Sequence, residues 1–210
     1  DFIKEYSNKI EFWDAKKLND IFREMHPYFM ANIIFDTSEL HIELEKIKGL
    51  LREFTAERKC RLHVILIGGL AVQYYGIQDS TTIDIEAEVR GDIEGLFNYL
   101  KSKNIPGDIS EDISRWSVIS MPPGYRDRIT SIYKDSFLEI SVLHPVDFII
   151  SKLRRFSEED IEDAQFVARK FNVSAEDVKK ASEDTIQHSI IDTALFIFRK
   201  NVEIFISKLS

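Results

Sequence analysis

The stretch Leu62–Val89 constrains this chain more than any other part of it. Leu62-His63-Val64-Ile65-Leu66-Ile67 is a short apolar run rich in β-branched residues, which reads as a buried strand. Gly68-Gly69 ends it abruptly, residues 70–75 suit a short helix, and Gly76 stops that helix. Residues Thr81–Val89 then alternate polar and apolar, the pattern of a second strand. Side chains two apart on a strand point to one face, so Thr82, Asp84, Glu86 and Glu88 lie together and Ile83, Ile85 and Ala87 lie opposite. Two carboxylates one strand-step apart can share a Mg²⁺ ion.

An Asp-x-Glu pattern is weak alone, and Asp-Ile-Glu occurs three times in this chain: Asp84/Glu86, Asp92/Glu94 and Asp160/Glu162. Context separates them. Asp160 and Glu162 fall in a predicted helix, where positions i and i+2 diverge. Asp92 and Glu94 fall at a helix start, where acids complement the macrodipole with no further role. Only Asp84 and Glu86 lie on a strand that follows a glycine turn. Glycines there let backbone N–H groups and a helix N-terminus approach a phosphate closely. One part could grip a polyphosphate, and the other could hold the cation bridging it.

The flanks read as helical. Residues 13–34 and Ser38–Arg58 carry apolar residues at three- and four-residue steps, with Ser38 a candidate N-cap. Ile93–Lys101 reads as a helix, 105–113 as a loop, and Trp116–Ser120, Arg128–Tyr133 and Phe137–Leu143 as strands. Pro145 suits the first position of a helix reaching Phe156. Helices are also expected over Glu158–Lys170, from the Ser174/Asp177 capping box, and from Glu183 to Leu209. The fold class expected is α/β (α+β): a mixed sheet of four or five strands flanked by helices. Its segments are an N-terminal helical extension (1–58), a central domain (59–156) and a C-terminal helical segment (157–210).

Composition narrows the function classes. A net charge of −8 argues against bulk electrostatic binding of nucleic acid. A single cysteine, Cys60, excludes a disulfide within the monomer and points to a reducing, cytoplasmic setting. Five scattered histidines lack zinc-ligand spacing. No apolar run approaches the roughly 20 residues of a membrane span.

Gly68-Gly69-Leu70-Ala71, Gly76 and Thr82-Ile83-Asp84-Ile85-Glu86, followed by Pro145, Asp147-Phe148-Ile149, Lys152-Leu153, Asp160 and Asp163, resemble the nucleotidyltransferase superfamily. The closer likeness is to small bacterial and archaeal members, including toxins of type IV toxin–antitoxin and abortive-infection systems. Ser80 stands where that pattern has Arg. The resemblance implies Mg²⁺-dependent transfer of a nucleotide from an NTP to a hydroxyl on a protein, RNA or small molecule. It gives Asp84 and Glu86 to the metal, and Gly68, Gly69 and Thr82 to the nucleotide. Lys152, which shares a helix face with Phe148 and Arg155, falls to the phosphates. A third carboxylate is expected on a later strand as general base or metal ligand, with Glu139 the candidate. Asp160 and Asp163 either orient Lys152 or Arg155 or lie on the surface, the second being favoured. Tyr74, Tyr75 and Trp116 either stack on a base or belong to the core, the core being favoured. The alternatives are a degenerate member that binds a nucleotide without turnover, and an interaction module of the same fold. For the latter, the apolar C-terminal helix would meet an antitoxin or a second copy.

Overall fold

The computed structural model describes residues 41–77 and 82–209. The expected helix over 13–34, the Ser38 cap and Ser80 lie outside those residues. Among the described residues the chain forms seven α-helices around one five-stranded mixed sheet. Helix α1 is Leu44–Arg58, followed by β1 (Leu62–Leu66), α2 (Gly68–Tyr75), β2 (Ile85–Gly91), α3 (Ile93–Ser102) and β3 (Gly107–Ser110). Two 3₁₀ turns, Ile113–Trp116 and Tyr125–Asp127, lead to β4 (Thr130–Lys134) and β5 (Leu138–Val142). The chain then runs through α4 (Pro145–Leu153), α5 (Glu158–Phe171), α6 (Ala175–His188) and α7 (Ala194–Ser207). None of these helices is long and apolar enough to cross a membrane.

The strand order is β3-β2-β1-β5-β4. Strands β1 and β5 are parallel, as are β2 and β3, while β1–β2 and β4–β5 are antiparallel. One rim therefore collects the end of β1 and β5 and the beginning of β2 and β3. The apolar alternation anticipated for β1 and β2 is the core pattern: Leu62, Val64, Leu66, Ala87 and Val89 are all buried. Helix α1 adds Ile47, Leu51 and Phe54 at four- and three-residue steps, one apolar stripe. Helix α4 is buried on nearly every side, and its Phe148 meets the Tyr75 ring edge-on at 4.9 Å. Such a ring contact adds on the order of 1 kcal/mol to area burial.

Local rules explain most boundaries. Pro145 occupies the first turn of α4, and α5 and α6 both begin with a complete Ser–Asp capping box, Ser157/Asp160 and Ser174/Asp177. Asp92 caps α3 by accepting from the Gly95 N–H at 2.9 Å, so the second Asp-Ile-Glu is a helix start as expected.

Several expectations are corrected. Strand β2 starts at Ile85, leaving Asp84 in the bend before it. Residues 105–113 are no simple loop, since Gly107–Ser110 pairs in parallel with β2. Trp116–Ser120 is not a strand: Asp112 accepts from the Ser114 N–H at 2.9 Å and turns the chain into a 3₁₀ helix. The long helix expected over Glu183–Leu209 is two helices, separated where the chain extends at Ser189.

Candidate active site

The β1–α2 junction is built around Gly68. Its φ of +55° is a left-handed conformation that side chains disfavour. A Cβ there would also lie 1.6 Å from Glu86 Oε2, so only glycine lets the carboxylate sit against the turn. Gly69 is needed for a similar reason, because a Cβ on it would come within 2.6 Å of the Thr82 side chain. Thr82 Oγ1 in turn donates to the Asp84 carbonyl oxygen at 3.2 Å and lies 3.1 Å from Asp84 Oδ1. Gly68, Gly69, Thr82, Asp84 and Glu86 therefore form one continuous packed group at the rim.

A third acid joins them from β3. Asp108 pairs in register with Glu86, so both side chains stand on the same face. All three acids hold their protons more tightly than usual. Burial raises Asp84, and burial with the charge of Asp84 raises Glu86. Burial with the charges of Glu86 and Asp84 pushes Asp108 up to about 7. Like charges in a poorly solvated place disfavour joint ionisation, and a cation would relieve them.

Glu139 is not part of this group. It pairs with His63 near the start of β1, at the opposite rim from the Gly68 turn. Five residue steps of extended chain separate His63 from Gly68, about 16 Å. There Glu139 accepts from Lys134 Nζ at 2.9 Å and lies 3.4 Å from His63 Nδ1, and Lys134 draws its pKa down. On a later strand it is Asp108, and not Glu139, that stands beside Glu86. Glu88, on the same face, is buried and accepts from Arg126, Tyr125 and the Ile113 N–H, which anchors the 113–127 segment to the sheet.

Lys152 does not reach openly into the cleft. It is 6% exposed, and its Nζ lies between Asp160 Oδ1 at 3.1 Å and Asp163 Oδ2 at 2.7 Å. Asp160 is accordingly not a surface acid. It also accepts both Arg155 Nε and Nη2 at 2.8 Å and the Ser157 hydroxyl at 2.8 Å. Burial alone would raise its pKa, but Arg155, Lys152 and Ser157 hold it well below the usual carboxylate range. Arg155 reaches onward, its Nη1 lying 3.5 Å from Glu86 Oε1. A chain of alternating charge thus runs from Asp163 through Lys152, Asp160 and Arg155 to Glu86.

A cleft of about 370 Å³ is lined by Gly68, Glu86, Asp108, Trp116, Arg154 and Arg155 among others. Trp116 is half-buried on its wall, whereas Tyr75 is a core residue whose hydroxyl donates to the Leu143 carbonyl, and Tyr74 is largely exposed. Among the described residues no three His, Cys, Asp or Glu side chains are grouped closely enough to hold a metal by themselves. Asp84 and Glu86 nonetheless suit Mg²⁺, a hard cation usually bound by one or two carboxylates together with substrate phosphates.

A mixed sheet whose glycine-opened helix faces an acid-bearing strand is the architecture of the nucleotidyltransferase-like class. The family model described as "Nucleotidyltransferase of unknown function (DUF6036)" matches residues 43–195, most of the chain, and the protein belongs to that family. A search of curated proteins and a search of solved structures each found no match.

Proposed function

We propose that the protein is a divalent-metal-dependent nucleotidyltransferase that moves a nucleotide from an NTP to a hydroxyl of a protein, an RNA or a small molecule. The observation carrying this reading is the Glu86 carboxylate lying where a Gly68 side chain would be, beside two further acids of raised pKa. Asp84 and Glu86 would hold Mg²⁺, which when bound neutralises the phosphates and polarises the phosphorus under attack. The N–H groups at the start of α2, freed of side chains by Gly68 and Gly69, would take phosphate oxygens. Asp108, in register beside Glu86, is suited to accept the proton of the acceptor hydroxyl at a carboxylate oxygen. The acceptor oxygen then bonds to the α-phosphorus, the bond to the bridging oxygen breaks, and pyrophosphate leaves. Arg155, fixed by Asp160, steadies Glu86 for this work.

Incubation of the full chain with each α-³²P-labelled NTP, Mg²⁺ and a cell extract supplying acceptors tests the proposal. Label is expected on an acceptor with the wild type and not with Asp84→Asn or Glu86→Gln. Transfer that persists in both variants would refute the assignment.

A second reading concerns partners. Helix α7 and the turn before it expose Ile191 at 97%, Phe196 at 67% and Ile197 at 60%. That apolar surface favours contact with an antitoxin or a second copy. Light scattering on the wild type and on a Phe196→Ser/Ile197→Ser variant tests it, a dimer in the first and a monomer in the second being the outcome expected for self-association.

A further inference from the structure

Three cations line the cleft: Lys152, Arg154 and Arg155. Two are already neutralised by the protein. Lys152 belongs to Asp160 and Asp163, and Arg155 to Asp160 and Glu86. Arg154 differs from both. Among the described residues it forms no ion pair, and its hydrogen bond runs from Nη2 to the Ile113 carbonyl oxygen at 3.2 Å. Its Nε–H is shut off from solvent and meets no acceptor. Burial pushes the guanidinium down to about 10, and the nearby Tyr125 and Asp112 offset it only in part.

An arginine fork presents parallel N–H donors that match two oxygens of one phosphate. Gly68, Glu86 and Asp108 line the same cleft. A metal-bound polyphosphate held in this cleft needs a cation for its outer oxygens, and Lys152 is too enclosed by its own acids to supply it. We propose that Arg154 receives the terminal phosphate of the nucleoside triphosphate. This rests on the nucleotidyltransferase reading above and moves the phosphate-gripping role from Lys152 to a residue the sequence did not single out. Arg154 is held for that task by the Ile113 carbonyl, at the start of the 3₁₀ turn that Glu88 anchors to the sheet.

The test is calorimetric titration of the full-length chain with each of the four NTPs and the matching NDPs, all with Mg²⁺. Wild type, Arg154→Lys and Arg154→Met are compared. The Met variant is expected to lose at least about tenfold in affinity for the NTP the wild type binds, as for a lost hydrogen bond to a charged group. Its loss for the NDP should be smaller, and the Lys variant should recover part of the discrimination. The Met variant removes an unsatisfied buried donor but also the bond to the Ile113 carbonyl, so its melting temperature should stay near that of the wild type. Undiminished NTP affinity in the Met variant overturns the proposal. Equal losses for NTP and NDP also overturn it, since the contact would then lie on the base or the inner phosphates. If the Met variant does not fold, the NTP/NDP ratio of the Lys variant decides by the same criterion. A wild-type chain that binds no nucleotide refutes the nucleotidyltransferase reading itself, and this inference with it.

Discussion

Replacing Asp108 by Asn should make the metal-free protein more stable while stopping its chemistry. Burial and the neighbouring charges of Glu86 and Asp84 move Asp108 from 3.8 to about 7. One pKa unit corresponds to about 1.4 kcal/mol, so at pH 8 ionised Asp108 costs the fold roughly 4 kcal/mol. The sign follows from the direction of the shift. A carboxylate whose folded pKa is raised costs nothing below its unfolded value. Its cost grows from about pH 4 to pH 7 and is constant above that. At pH 5 the cost is therefore only about 1–2 kcal/mol. Allowing for relaxation around the new amide, Asp108→Asn should gain about 2–3 kcal/mol at pH 8, or about 4–12 °C in melting temperature for a chain of this size. The gain should shrink by at least half at pH 5. Differential scanning calorimetry in EDTA at pH 5, 6.5 and 8 measures it. Adding Mg²⁺ should narrow the pH 8 gap, because a cation at Asp84 and Glu86 lowers the repulsion on Asp108. A variant no more stable than wild type at pH 8, or a gain independent of pH, would refute the claim that crowded acids strain this site. In the transfer assay the variant should bind nucleotide but not turn over.

Three further outcomes are expected. Gly68→Ala forces a left-handed residue and a displaced Glu86 carboxylate, so urea titration should show a loss of about 1–2 kcal/mol and Mg²⁺-NTP binding should weaken. Asp160→Asn breaks a pair in which the Asp160 side chain is 1% and that of Lys152 7% exposed, and should cost about 3–5 kcal/mol in the same titration. Because the folded pKa of Asp160 is depressed, its contribution should be fully present above pH 4 and fade only as the pH falls below that; a loss between pH 8 and 5 that vanishes in Asp160→Asn would contradict the assignment. Tyr75→Phe should leave nucleotide affinity unchanged but lower stability by about 1–2 kcal/mol, since it strands the buried Leu143 carbonyl.

The parts of the fold that were legible in the sequence are those decided locally. Leu62–Ile67 reads as a buried strand and Gly68-Gly69 as its end, and the Ser–x–x–Asp box at Ser174 and Pro145 mark helix starts. Of the acid pair only Glu86 lies on the second strand, so the two-residue period reached one member and Asp84 sits in the bend before it. What escaped was decided by neighbours. Strand β3 has four residues, Gly-Asp-Ile-Ser, too few and too polar for a period to register, and it exists because β2 offers it a partner edge. Asp108 was lost with it, although the spacing Ile105, Ile109, Ile113 around it marked a buried segment. Glu139 was favoured because its strand was plain, but strand order sets which end of the sheet a residue occupies, and order is not written in any one strand. Ile190 and Ile191 carried an apolar rhythm across the break between α6 and α7, where the chain spends them on the exterior. Asp160 and Asp163 looked like ordinary helix-surface acids because their cations arrive from a different helix.

The direction of the strands has a practical corollary. The glycine bend, the acids and the cations occupy one rim, whereas the β4–β5 connection at Asp135–Phe137 turns at the other, with Asp135 accepting from the N–H groups of Phe137 and Leu138 at 2.8 Å. The chain can be lengthened at that remote hairpin without altering the reach of any group at the acidic rim. A fluorophore or affinity handle grafted there would report on capture of an acceptor while standing clear of the event it reports.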